Sequence, residues 1–130
     1  MYSKIKSFKE FINEFEIEGE LQSKPIWNGK DYLNSNGNLV LSKMNLTELP
    51  CIFPEVWDRG FYCNDNQLTS LKGAPKEVKG TFSCRDNKLI SLEGAPTYIG
   101  GSFDCEGNPT KFLKKDVQRV SEVEGNIYVW

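Results

Sequence analysis

Apolar residues return on a fixed schedule between Leu39 and Leu113. Phe61, Phe82 and Phe103 stand 21 residues apart, and so do Cys63, Cys84 and Cys105. Asn66, Asn87 and Asn108 keep the same interval, as do Leu71, Leu92 and Leu113. Gly73-Ala74-Pro75 recurs as Gly94-Ala95-Pro96. A weaker copy precedes these, in which Leu39, Leu41, Leu46 and Leu49 stand 22 before Phe61, Cys63, Leu68 and Leu71. Met44 there holds the place of the asparagine. A repeat of this length predicts stacked coils, about four of them, with degenerate coils at the ends where one side meets water.

Each part of the unit has a mechanical role. Alternation at Phe61 and Cys63 predicts a strand with one face inward. The asparagine falls where the chain turns out of the strand, and its amide can satisfy backbone groups of a neighbouring coil. Leu68 and Leu71 fill the core on the return path. Gly-Ala-Pro makes a tight corner, and Val78 and Ile99 re-enter the core before the next strand.

Outside the repeat, Ile5, Phe8, Phe11 or Ile12, and Phe15 form a stripe at helical spacing, which predicts a helix over 4–18 capping the first coil. Apolar residues around Asn36-Gly37, within 32–39, predict a hairpin that lays an antiparallel strand beside the repeat sheet. Leu113, Val117 and Val120 predict a helix over 111–122, and residues 126–130 read as a short strand. Trp130 is expected to cover the final coil or to contribute to a contact. The whole chain thus reads as one domain: an N-terminal cap over 1–38, repeats over 39–110 and a C-terminal cap over 111–130.

The unit F-x-C-x-x-N-x-L-x-x-L has the frame of a leucine-rich repeat. With its phrase N-x-L-T-S-L-x-G-A-P-x-x-V-x-G-x-F-x-C it resembles the short leucine-rich-repeat proteins of tailed bacteriophages and some bacteria, over roughly residues 39–110. The fold class this implies is a β-rich α/β leucine-rich-repeat solenoid, with a parallel sheet of about four strands, an N-terminal helical cap and hairpin, and a C-terminal helix-strand cap. The resemblance brings no catalytic residues with it, because such folds host many partners.

Charge narrows the choice of partner. Sixteen basic and 18 acidic residues leave a net charge of −2, which provides no electrostatic case for nucleic acid or an anionic membrane. No apolar stretch approaches the roughly 20 residues that span a bilayer. The N-terminus lacks the apolar run of a secretory signal, so the expected compartment is the cytoplasm, that of the host if the chain is phage-encoded.

There is no histidine, which removes the commonest general base and metal ligand. Cys63, Cys84 and Cys105 are expected to stack as buried thiols. Side chains in register on parallel strands point the same way, which suits a disulfide badly. Three cysteines at intervals of 21 do not supply convergent zinc ligands either. Cys51 lies outside this ladder, either as a partly buried loop residue or as a reactive thiol. No metal or cofactor is expected.

If Phe61 and Cys63 point inward, their neighbours point outward. One outward row is Val40, Tyr62, Ser83 and Asp104; the next is Ser42, Asn64, Arg85 and Glu106; Lys43, Asp65, Asp86 and Gly107 flank them. Tyr62, Asn64, Ser83, Arg85, Asp104 and Glu106 are therefore the candidate partner-binding residues. Tyr62 and Arg85 are of the types favoured as interface anchors, and the acidic members suit a partner with a basic patch. Asp104 and Glu106 loosely resemble a glycosidase dyad, but no nucleophile–base pair or phosphate loop accompanies them, and the chain reads as a non-enzyme. The functional expectation is a protein-binding module, with a host enzyme or defence component as the partner class that the resemblance implies. The alternative is a structural protein that self-associates, as a homodimer, through solenoid ends or sheet edges.

Overall fold

The computed structural model describes residues 6–7, 25–27, 32–34, 38–49, 51–53 and 55–130. The inward row of the repeat builds one ladder of parallel strands: β4 (Leu39–Val40), β7 (Phe61–Tyr62), β9 (Phe82–Ser83), β11 (Phe103–Asp104) and β13 (Ile127–Tyr128). Their spatial order follows their chain order in a five-stranded sheet, with Phe61 opposite both Leu39 and Phe82. A second, four-stranded parallel sheet lines another side of the coil. It contains β6 (Val56–Trp57), β8 (Glu77–Val78), β10 (Tyr98–Ile99) and β12 (Glu122–Val123). The molecule is thus a β-rich repeat solenoid, as the period predicts.

The core runs along the solenoid axis as columns of equivalent residues. Phe61, Phe82 and Phe103 are fully buried. The ring of Phe61 stacks on that of Phe82 at 5.7 Å between centroids, and Phe82 meets Phe103 edge-on at 5.5 Å. Leu68 and Leu89, and Val78 and Ile99, form parallel columns with no exposed surface. Burying each such side chain contributes about 1.5–3 kcal/mol, and the columns repeat that gain in every coil.

At one corner the backbones of adjacent coils nearly touch. The Gly80 N–H donates to Arg59, that of Gly101 to Gly80, and that of Gly125 to Gly101, at 2.9–3.1 Å. A Cβ on Gly101 would overlap the Gly80 backbone, and one on Gly125 the Gly101 carbonyl. Glycine is required here for close approach rather than for an unusual φ.

The C-terminal segment departs from its expected form. The helix α1 is shorter than expected, spanning Lys114–Val120. Leu113, expected in the core slot of Leu71 and Leu92, is 43% exposed, and Phe112 fills the interior instead. The cause is local: the Leu113 N–H donates to the Asp116 carboxylate at 2.8 Å, which makes Leu113 the helix cap rather than a core residue. Val117 anchors the helix to the core, and the buried Ser121 hydroxyl donates to the Pro96 carbonyl. Beyond the helix the chain does more than cap the solenoid. It completes another coil, with Glu122 beside Tyr98 and Ile127 beside Phe103.

Two expectations at the N-terminus fall differently. The hairpin is formed by β2 (Pro25–Trp27) and β3 (Tyr32–Asn34), paired antiparallel with Trp27 opposite Tyr32. It encloses residues 28–31 rather than Asn36-Gly37, and among the described residues it forms a sheet of its own. β4 is therefore the end strand of the five-stranded sheet. The helix expected over 4–18 lies outside the described residues, except for β1 (Lys6–Ser7), which pairs parallel with β5 (Cys51–Ile52) as strand.

Candidate functional site

Asparagine fixes the edge of the five-stranded sheet. The Asn87 amide donates to the carbonyls of Cys63 and Cys84, both at 3.0 Å, and to Arg85 at 3.2 Å, while its oxygen accepts the Leu68 N–H at 2.9 Å. Asn66 bonds likewise to Leu41, Cys63 and Asn64, and its oxygen accepts from Met44 and Leu46. Asn108 repeats the pattern with Cys84, Cys105, Glu106 and Leu89. Each asparagine therefore ties its own coil to the one before it, satisfying backbone groups that burial would otherwise leave unpaired.

Just before this ladder the chain turns through left-handed backbone. Lys43, Asp65, Asp86 and Gly107 have φ of 58°, 57°, 54° and 75°. Aspartate and glycine tolerate this region best, so the flanking column of the outward surface is also where the chain leaves the sheet.

The thiol column is internal. Cys63, Cys84 and Cys105 are free and fully buried, and the Cys63 thiol donates to the Ser83 carbonyl at 3.3 Å. Burial pushes Cys63 and Cys105 up to about 12, and Cys84 well above its ordinary value. These are inert small apolar residues, not nucleophiles. No group of three histidine, cysteine, aspartate or glutamate side chains among the described residues is placed to hold a metal ion. The side chain of Cys51 lies outside the description.

On the outward surface the candidates are brought together unequally. The carboxylates of Asp104 and Glu106 converge on Arg85, whose guanidinium lies 3.0 Å from Glu106, 3.7 Å from Asp104 and 3.2 Å from Asp86. The Asp86 hydrogen bond, then Asp104 and Glu106, raise the Arg85 pKa. Arg85 is accordingly not a free cation awaiting a partner. It is the centre of a cluster with one positive and three negative groups. Asn64 donates to Asp65 at 2.6 Å, extending the acidic strip toward the first coil. Tyr62 is half-buried, its ring lying over Gly60, where a Cβ would overlap it. Ser83, expected to contact a partner, is only 6% exposed. Its short side chain sits between the larger Tyr62 and Asp104 in register, so it is recessed and makes a shallow dip rather than a contact.

One row of this surface was missed in the sequence. Tyr128 continues the outward row beyond Asp104 and is 44% exposed. The signal was Val123-x-Gly125-x-Ile127-x-Val129, which matches Val78-x-Gly80-x-Phe82-x-Cys84. No helix among the described residues is long and apolar enough to cross a membrane. Comparison with family models, curated proteins and solved structures finds no match to this chain.

Proposed function

We propose that this chain is a non-catalytic protein-binding module that engages its partner with the outward surface of the five-stranded sheet. One observation carries the reading. In the two most alike coils the inward residues repeat, with Phe61 and Phe82, Cys63 and Cys84, and Asn66 and Asn87 all buried. The outward residues between them differ, Tyr62 becoming Ser83 and Asn64 becoming Arg85. The fold dictates the first set and leaves the second free for recognition.

The partner best suited to this surface offers a basic patch against Asp65, Asp86, Asp104 and Glu106, and a pocket or flat apolar spot for Tyr62. The resemblance to short phage and bacterial leucine-rich-repeat proteins favours a bacterial cytoplasmic target, a host enzyme or defence component whose action is blocked or modulated. Five neighbouring segments about 4.8 Å apart, bonded from coil to coil over about five residues each, as at Phe61, Cys63 and Asp65, offer roughly 400 Å², half of what each partner buries in a standard interface. A single copy should therefore bind weakly or with help from flanking loops.

Affinity capture from bacterial lysate tests the reading. The expected result is a specific protein retained by the native chain and lost with Tyr62→Ala combined with Glu106→Lys. Retention unchanged by those substitutions, or no specific retention at all, contradicts it.

A further inference from the structure

We infer that two copies of this chain associate through β13, pairing these edge strands antiparallel about a two-fold axis beside Tyr128. The inference concerns a different surface from the one proposed above and does not depend on it.

In each preceding coil the inward residues donate forward: Phe61 to Thr81, Cys63 to Ser83, Phe82 to Ser102, Cys84 to Asp104, Phe103 to Asn126 and Cys105 to Tyr128, at 2.8–2.9 Å. Ile127 in β13 and Val129 just beyond it occupy the same places, and β13 is an edge of its sheet. Their N–H and C=O groups point away from β11 and meet no further strand among the described residues. Such an edge is a template for another strand.

The side chains around the edge are unusually apolar. Val56, Ile90, Leu113, Tyr128 and Trp130 are the large apolar residues most exposed among those described, and Leu113, Tyr128 and Trp130 belong to the final coil. Trp130, 67% exposed, donates to the Phe112 carbonyl. Leu113 adjoins Phe112, and Phe112 and Ile90 line one shallow depression. No charged residue interrupts 126–130, so the edge lacks the lysine that commonly guards exposed strands.

The edge is also self-complementary. Antiparallel pairing matches Ile127 of one copy with Val129 of the other, exchanging bonds in both directions, and sets the two Tyr128 residues opposite each other. Lys111 lies over the Trp130 ring, at the end of the strand. Glu124 precedes the start of the strand. Reversal of direction brings Lys111 of one copy toward Glu124 of the other at both ends of the pair. The resulting ten-stranded sheet is continuous across the two-fold axis. It doubles the outward surface to roughly 800 Å², the size a standard interface needs from one partner.

Sedimentation equilibrium of the whole chain, from low micromolar to millimolar concentration, tests the inference. The expected result is a mass rising from one chain toward two and no further. Val129→Pro removes an outward N–H and puts a ring in the path of the second strand; Trp130→Glu charges the apolar patch. Both are expected to remain monomeric while keeping the native circular dichroism. In a Cys51→Ser background, Tyr128→Cys is expected to form a covalent dimer on mild oxidation, because the paired Cα atoms lie about 4.5 Å apart. Lys88→Cys, on an exposed turn remote from the edge, is expected not to. A monomer at every concentration overturns the inference. So does growth past two chains, as head-to-tail stacking gives, or a dimer in which Tyr128→Cys fails to cross-link.

Discussion

The first coil and the inner coils solve the same packing problem with different residues. In the inner coils an asparagine, buried at Asn66 and Asn87 and half-buried at Asn108, closes the end of each strand; in the first coil Met44 stands at that place, half-buried against the core. The hydrogen bonds explain why the exchange is tolerated. Asn66 accepts from Met44 and Leu46 and donates to Leu41, so the amide serves the coil behind it as well as its own. β4 ends the five-stranded sheet, and among the described residues an amide on its coil would find no earlier coil of that sheet to bind. At the asparagines cohesion therefore has a direction: their amides reach backward, while strand N–H groups donate both ways, forward from Phe61 and Phe82 and backward from Glu77 and Gly100 in the second sheet. A coil is held by its successor's asparagine as much as by its own.

The comparison is broken most severely by removing an inner asparagine. Asn87→Ala leaves the Leu68 N–H and the Cys63 and Cys84 carbonyls buried without this partner, and is expected to cost about 3 kcal/mol. Urea unfolding measures it, and a cost near that of an exposed substitution would refute the directional account. Alkaline pH has a smaller effect for each unit of change. Below the unfolded thiol pKa of about 8.5, Cys63 is neutral in both states and stability does not change with pH through it. Above that value only the unfolded chain ionises, until the folded pKa of about 12 is reached. Stability is expected to fall across that window by about 1.4 kcal/mol per pH unit for Cys63 alone, and Cys63→Ala should flatten the slope. Leu41 holds the corresponding place in the first coil and adds nothing to it. The smallest effect is expected from Met44→Asn, within about 0.5 kcal/mol of the native chain, since among the described residues the new amide has no earlier coil of the five-stranded sheet to bridge. A gain of several kcal/mol in the same urea titration would show that position, not direction, is what matters.

Much of this was legible because the period was. Phenylalanine, cysteine, asparagine and leucine columns follow from counting residues, and the outward rows follow from strand alternation. The second sheet was less legible. Each of its inner strands carries a single inward residue, Val78 or Ile99, which reads only as a core re-entry point. The final coil hid behind a change of spacing: α1 lengthens it to 24 residues, Val129 replaces the cysteine, and a local hydrogen bond to Asp116 pulls Leu113 from its slot. The hairpin was displaced because Asn-Gly occurs twice, at 28–29 and 36–37, and a turn signal alone does not choose between them. The charge state of the outward surface was the least accessible. That Arg85 is held by three carboxylates depends on distances between coils that spacing alone does not supply.

The central claim is that inward residues make the fold while outward residues remain free to bind. It is tested most directly in one variant carrying Tyr62→Ala, Asn64→Ala, Arg85→Ala and Glu106→Ala, with the urea midpoint and partner retention measured on the same preparation. The account predicts stability within about 1 kcal/mol of the native chain, together with loss of the retained protein. A large loss of stability, or retention that persists in a folded variant, would contradict it.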